Sequence, residues 1–227
     1  MANKICTLMY HDVYQHEKTE SGINIDSAQS YKISASLFER QIKTIREYVD
    51  AHHIDESSIR LSFDDGGVSF LTLIAPILEK NGFKGYFFIA TGFLNTDGFL
   101  SDEQVVELYK RGHFVGSHSH THRQMMNALS KEELMTDWKA SIDCLGRLLQ
   151  QPIKIASLPN GYSSPVIFDV LDELGIEDVY TSSPMDRPIK RRNLTLFGRY
   201  GVKDGMNESK VLQIVFNPLT KLMIKMK

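Results

Sequence analysis

The chain has 227 residues and 42% hydrophobic content, which suits a soluble globular protein with a sizeable core and excludes disordered and collagen-like classes. Its 28 acidic and 26 basic residues leave a net charge of −2 with no long basic stripe, so no nucleic-acid partner is expected and a small or neutral substrate fits better. The two cysteines, Cys6 and Cys144, lie far apart in apolar segments, give no disulfide framework and are read as buried thiols.

The opening "MANKICTLMYHDV" carries a short apolar run interrupted by His11 and Asp12. It is neither a secretory signal nor a membrane span, so a cytoplasmic location is expected. Within it "ICTLMY" reads as the first strand. Phe38, Ile42, Ile45 and Val49 then recur at helical spacing along one face. "IRLSF" and "GYFFIAT" follow as strands. "SDEQVVELYKRG" reads as a helix opened by a Ser101/Gln104 capping box and stopped at Gly112. After the strand "HFVGSH", a second capping box, Ser130 with Glu133, starts a helix that carries Leu134, Trp138, Ile142, Leu145 and Leu149 down one side. "IKIASLP" is a strand, Pro165 to Gly175 a helix, and "EDVYTSS" and "LTLFGRYGV" close the series. Residues from about 205 to 227 end apolar with lysines and are read as a C-terminal helix or tail. Weak contact with a membrane surface is the alternative for that tail, and stable insertion is not expected. The alternation, with no linker or repeat, predicts one α/β domain over 1–227 with a mostly parallel sheet, open or closed into a barrel.

In parallel α/β architectures the site lies at the carboxyl ends of the strands, and Asp64, Asp65, His118 and the stretch Pro159 to Gly161 all fall there. Adjacent carboxylates repel unless a cation compensates them. The nearest bases in sequence are Arg60 and Lys80, which leaves a metal ion supported by histidines as the expected charge. In "HSHTH" the outer residues His118 and His122 are four apart, a spacing that lets both imidazoles converge on one ion while His120 points away. Only one of two adjacent aspartates turns easily toward that ion. The other is left as a base for an attacking water. Gly66 and Gly67 are read as permitting a sharp turn and the close approach of a ligand.

"SFDDG", "HSHTH" taken as H-S-x-x-H, and "LPNG" resemble the first three motifs of the polysaccharide deacetylases, the NodB-homology or carbohydrate esterase family 4 group. "TLMYHDV", "APILEKNGFKGYFFIATG" and "ELYKRGHFVGSHSHTH" extend the resemblance over most of the chain. It implies a distorted (β/α)7 barrel, with Asp64 as the base and Asp65, His118 and His122 as ligands of one divalent ion. Zn²⁺ is the expectation, with Co²⁺, Mn²⁺ and Ni²⁺ compatible by ligand type. It also implies an oxyanion role for the Asn160 N–H, with Pro159, Gly161 and Tyr162 beside the substrate.

Two positions depart from the family pattern. Ser157 stands where the family places an arginine that orients the base, and Arg199 in "LFGRYGV" is the expected replacement. No histidine follows His122, although many members draw their general acid from a C-terminal histidine. His11 resembles the acid of a circularly permuted branch, the poly-N-acetylglucosamine deacetylases, in which the first strand lies beside the last. The resemblance thus implies removal of acetyl from an N-acetylated amino sugar of a polysaccharide or surface-glycan precursor. Two alternatives remain: another amide or ester hydrolase on the same scaffold, such as a deformylase or cyclic amidase, or a non-hydrolytic sugar-binding descendant. Ser157 favours the last, and retention of Asp64, Asp65, His118 and His122 opposes it.

Overall fold

A computed structural model describes residues 4–216. The strands are β1 (Cys6–Tyr10), β2 (Val13–Tyr14), β3 (Ile33–Ser34), β4 (Ile59–Phe63), β5 (Gly85–Ile89), β6 (Phe114–Ser117), β7 (Ile155–Ser157), β8 (Asp178–Tyr180), β9 (Ile189–Arg191), β10 (Leu194–Phe197) and β11 (Tyr200–Gly201). The helices are α1 (Ala35–Ala51), α2 (Ala75–Lys80), α3 (Asp102–Lys110), α4 (Lys131–Leu149), α5 (Pro165–Glu173) and α6 (Glu208–Phe216). A π-helical turn, Phe70–Ile74, runs into α2.

The main sheet has the order β11-β1-β4-β5-β6-β7-β8-β10-β9, parallel throughout except for the β9–β10 hairpin. Its two ends meet in one stretch of chain. Residues 195–197 pair with β8, and only Gly198 and Arg199 separate them from Tyr200 and Gly201, which pair with β1. Counting that stretch once and leaving out β9, the antiparallel partner of β10, gives seven positions around a distorted (β/α)7 barrel.

Side chains sort by the two-residue period of a strand. In β5, Phe87 packs outward into the cluster shared with the helices, whereas Phe88 points inward to Tyr180 and Phe197. The outer layer takes Phe38, Ile42, Ile45 and Val49 of α1 at 0–2% exposure and Leu134, Trp138, Leu145 and Leu149 of α4. Both capping boxes form, on Ser101 and on Ser130, because a serine Oγ accepts an orphan N–H while the Gln or Glu three residues on reaches back. At the foot of the barrel Arg60 fills the interior, its guanidinium 4.1 Å from the Phe197 ring centroid and 5.2 Å from that of Tyr86.

One expectation changes. Cys6 is buried, but Cys144 is only half-buried because it lies at the edge of the α4 face. The C-terminal segment forms α6 up to Phe216, and the remaining tail lies outside the described residues. Among the described residues no helix is long and apolar enough to cross a membrane.

Candidate active site

Register brings the strand ends together. Tyr10 pairs with Phe63, so His11 and Asp64, each the next residue, become neighbours, and the Asp64 N–H donates to the Tyr10 carbonyl at 3.2 Å. One strand over, the His118 N–H donates to the Ile89 carbonyl at 2.9 Å, while the Asp65 carbonyl accepts from the Ala90 N–H at 3.2 Å. Residues more than fifty apart in sequence thus face one mouth. Asp65 and His122 both adopt left-handed backbone, with φ of 88° and 49°. Such strain in non-glycine residues persists only where the surroundings enforce it, and it clusters at functional sites.

The adjacent aspartates have separate environments. Asp64 faces into the barrel, where Arg199 donates Nη1–H to Oδ1 and Nη2–H to Oδ2, both at 2.7 Å. Arg199 is 0% exposed, and its remaining donors go to the Thr181 carbonyl, Ser62 Oγ and Ser157 Oγ. The Ser157 hydroxyl lies 3.2 Å from each Asp64 oxygen. A small side chain at 157 therefore leaves the volume that the guanidinium occupies from the link between β10 and β11. Burial pushes the Asp64 carboxyl up, but Arg199 and His118 pull harder the other way, so it lies below the usual carboxylate range.

Asp65 faces His118 and His122 instead. Their Nε2 atoms stand 3.4 and 3.2 Å from Asp65 Oδ1, and one atom from each of the three residues falls within 4.8 Å of the others. His118 Nδ1 lies 2.9 Å from the Ser157 carbonyl. A carbonyl only accepts, so a proton sits on Nδ1, and Nε2 is the nitrogen turned toward Asp65. Asp65 Oδ1 is buried without a hydrogen-bond partner. A buried anionic oxygen opposite two imidazole nitrogens is an arrangement that a cation would complete. The donor set, two imidazoles and a carboxylate, fits a divalent ion such as Zn²⁺. Burial raises the Asp65 carboxyl, and the two histidines outweigh it and hold it well below its ordinary value. His122 is drawn down by burial but ends up raised by Asp65.

His120 turns away, its Nδ1 2.9 Å from Thr91 Oγ1. The loop is held by Asp137, which accepts from the N–H groups of His120 and Thr121 at 3.2 and 3.0 Å. Asp137 belongs to none of the sequence motifs. Its signal was a carboxylate on the buried face of α4, between Leu134 and Ser141.

The other candidates are placed at the same mouth with less contact. His11 lies just past β1, its ring centroid 4.5 Å from that of Tyr31 and its Nδ1 buried without a partner. Asn160 has left-handed φ of 53° in the turn Pro159–Gly161 after β7. Pro159 is buried and Tyr162 is exposed. Gly161 packs on Ser182, so that a methyl there would sit 2.8 Å from its Cβ. Gly67 corrects an expectation: the close approach is made by the protein's own Asp12 and Ser21, not by space left for a ligand.

The polysaccharide deacetylase family model matches residues 52–179, a span that holds Asp64 to His122 and Asn160 but neither His11 nor Arg199. A chitin deacetylase of Arthroderma benhamiae is 30% identical over 93 residues, covering 40% of this chain and 24% of its own length. The putative polysaccharide deacetylase YxkH of Bacillus subtilis is 21% identical over 195 residues, covering 80% of this chain and 65% of its own. The chain thus spans less than two thirds of either relative. Among solved structures, the Streptococcus pyogenes deacetylase PplD, in complex with acetate, superposes with a TM-score of 0.78 at 20% identity over 95% of this chain and 99% of that one. IcaB from Ammonifex degensii gives 0.75 at 20% identity over 95% and 98%. These two share the fold. The family match takes in more than half of the chain, including both aspartates and both converging histidines, and the chain belongs to the polysaccharide deacetylase family.

Proposed function

We propose that the chain is a metal-dependent N-deacetylase, acting on an N-acetylated amino sugar of a polysaccharide or surface-glycan precursor. One observation carries the reading. Two adjacent buried aspartates are held apart in role, Asp64 by a bidentate arginine and Asp65 opposite two imidazole nitrogens with an oxygen left unpartnered.

Asp65, His118 and His122 would hold the ion. When bound, a divalent ion lowers the pKa of a water toward roughly 7 and polarises the acetamide carbonyl. Asp64 stays ionised because Arg199 compensates its charge, and in that form it accepts the proton of the attacking water. Arg199 also fixes the carboxylate plane, since both Asp64 oxygens are held by the guanidinium fork. The Asn160 N–H donates to the oxyanion as the carbonyl carbon becomes tetrahedral. His11 gives a proton to the departing amine, releasing acetate and the free amino sugar. Pro159, Gly161 and Tyr162 flank the sugar. The acetate reported with PplD matches the expected product, and the Arg199–Asp64 pair supports hydrolysis over a binding-only descendant.

The test is acetate release from UDP-N-acetyl sugars, lipid-linked N-acetyl sugars and chito-oligomers, with zinc-loaded protein and with the same protein after chelation. Metal-dependent acetate from at least one class is expected. Sugar binding with no acetate from any would turn the reading into the binding-only one, and formate from a formamide would move it to a different amide hydrolase.

A further inference from the structure

The Asp12 carboxylate has no part in the reaction above, yet it is 2% exposed and stands one residue after His11. Ser21 and Ser69 both donate their hydroxyls to its Oδ1, at 2.6 and 2.9 Å. The same hydroxyls accept in turn, Ser21 Oγ from the Ser69 N–H at 2.9 Å and Ser69 Oγ from the Val13 N–H at 3.3 Å. Lys32, 1% exposed, closes the far side. Its Nζ donates to the Ser21 and Lys18 carbonyls at 2.5 and 2.8 Å and to Asn24 Oδ1 at 2.5 Å.

The turn that carries Asp65 is shaped around this carboxylate. A methyl at Gly67 would sit 2.0 Å from Asp12 Oδ1 and 2.5 Å from Ser21 Oγ, so only glycine lets the turn close over it. Lys32 reaches Asp12 through Ser21 rather than by direct contact, and a buried carboxylate without a bonded cation is costly. Burial accordingly pushes the Asp12 carboxyl up, against the two serine hydroxyls. What the network provides is rigidity, since a satisfied buried cluster fixes the segments that contribute to it. Those segments are the end of β1 with His11, the loop with Ser21, and the turn from Asp65 to Ser69.

We propose that Asp12 is a positioning residue: through Ser21 and Ser69 it locks the His11-bearing end of β1 onto the Asp65-bearing turn. The part concerning His11 rests on the deacetylase reading; the hold on Asp65 does not. Asp12→Ala, Asp12→Asn and Ser69→Ala are compared with wild type for thermal midpoint, for Co²⁺ affinity by absorbance titration, and for turnover of an acetamide and an activated acetyl ester.

Asp12→Ala is expected to bind Co²⁺ about tenfold more weakly, the lower end of what loss of an outer support costs a metal site. Its kcat on the amide should fall by about tenfold with KM nearly unchanged, and by less on the ester, whose leaving group departs without a proton. Asp12→Asn keeps an oxygen acceptor for both serines and should restore both quantities to within about threefold of wild type. If Asp12→Ala does not fold, Ser69→Ala, which deletes one hydroxyl, must show both losses in smaller measure. A lowered thermal midpoint with unchanged Co²⁺ affinity and an unchanged ester-to-amide ratio would make the network purely structural and overturn the proposal. A wild type without amide turnover sinks the deacetylase reading alone, because the Co²⁺ titration still tests the hold on Asp65.

Discussion

Asp64 and Asp65 are neighbours in sequence and opposites in surroundings, so their removal should fail differently. Asp65→Asn, His118→Ala and His122→Ala each remove a proposed donor and should lower bound metal. Asp64→Asn should keep its metal and lose turnover by about 10²-fold or more, as expected for a general base. Metal content and kcat measured on the four variants check this, and equal metal loss in the two asparagine variants would merge the roles. The Arg199–Asp64 pair makes a second prediction at this scale. Both partners are buried, with side chains 0% and 3% exposed, so Arg199→Met strands a charge and should cost about 3–5 kcal/mol in a denaturant titration. Adding Asp64→Asn removes the stranded charge and should recover much of that loss. If the double variant is no more stable than Arg199→Met, a stranded Asp64 charge is not the source of the loss. His11→Ala should retain metal and slow amides more than activated esters; amide hydrolysis at the wild-type rate would return His11 to a packing role.

Helices and strands were legible where periodicity, capping and burial agree, and less so elsewhere. The α1 and α4 faces and the serine capping boxes could be read because each is a local device. The π-helical turn before α2 was not visible, because no residue pattern within Phe70–Ile74 distinguishes that winding from an ordinary helix start. That one aspartate serves as ligand and the other as base was legible from their adjacency, but which is which was legible only through the family resemblance, since Arg199 lies 135 residues from Asp64 and nothing local joins them. Another long-range contact that no local pattern announces is made by His113, before β6. Its Nδ1 accepts the Gly85 N–H at 3.1 Å and its Nε2 lies 2.9 Å from Glu79 Oε1, which Arg111 also holds. The ring is therefore neutral with its proton on Nε2. Burial draws His113 below its ordinary value despite Glu79. A depressed histidine stabilises the fold above its unfolded pKa of about 6.5 and loses that contribution as pH falls through its folded value. Wild type should therefore lose more stability than His113→Gln when urea midpoints at neutral pH and near pH 5 are compared. Parallel losses in the two proteins would mean that His113 does not stay neutral in the fold.

At the scale of the whole molecule, barrel closure and the active site depend on the same two residues. The chain leaves β8 after Phe197 and joins β1 at Tyr200, and the crossing is made by Gly198 and Arg199. The segment from Ser183 to Met185 passes so close that a methyl on Gly198 would sit 2.4 Å from the Met185 nitrogen, 2.5 Å from the Ser183 oxygen and 2.0 Å from Met185 Cγ. Two of those three atoms are backbone, so relief requires moving the chain rather than turning a side chain. The Ser183 carbonyl also accepts the Arg199 N–H at 3.3 Å, so any shift there moves the guanidinium that holds Asp64. Gly198→Ala is thus expected to cost about 1–3 kcal/mol by overpacking and, at temperatures where it remains folded, to lower kcat further than its loss of folded protein explains. Gly146→Ala supplies the control: it adds a methyl inside α4 at an ordinary 3.5 Å from the Gln151 oxygen and should stabilise by about 0.5–1 kcal/mol through helix propensity. Circular dichroism melts and kcat on one acetamide decide the matter. Wild-type kcat in folded Gly198→Ala would show that the barrel can close by another path without disturbing Arg199, and would uncouple closure from the placement of the proposed base.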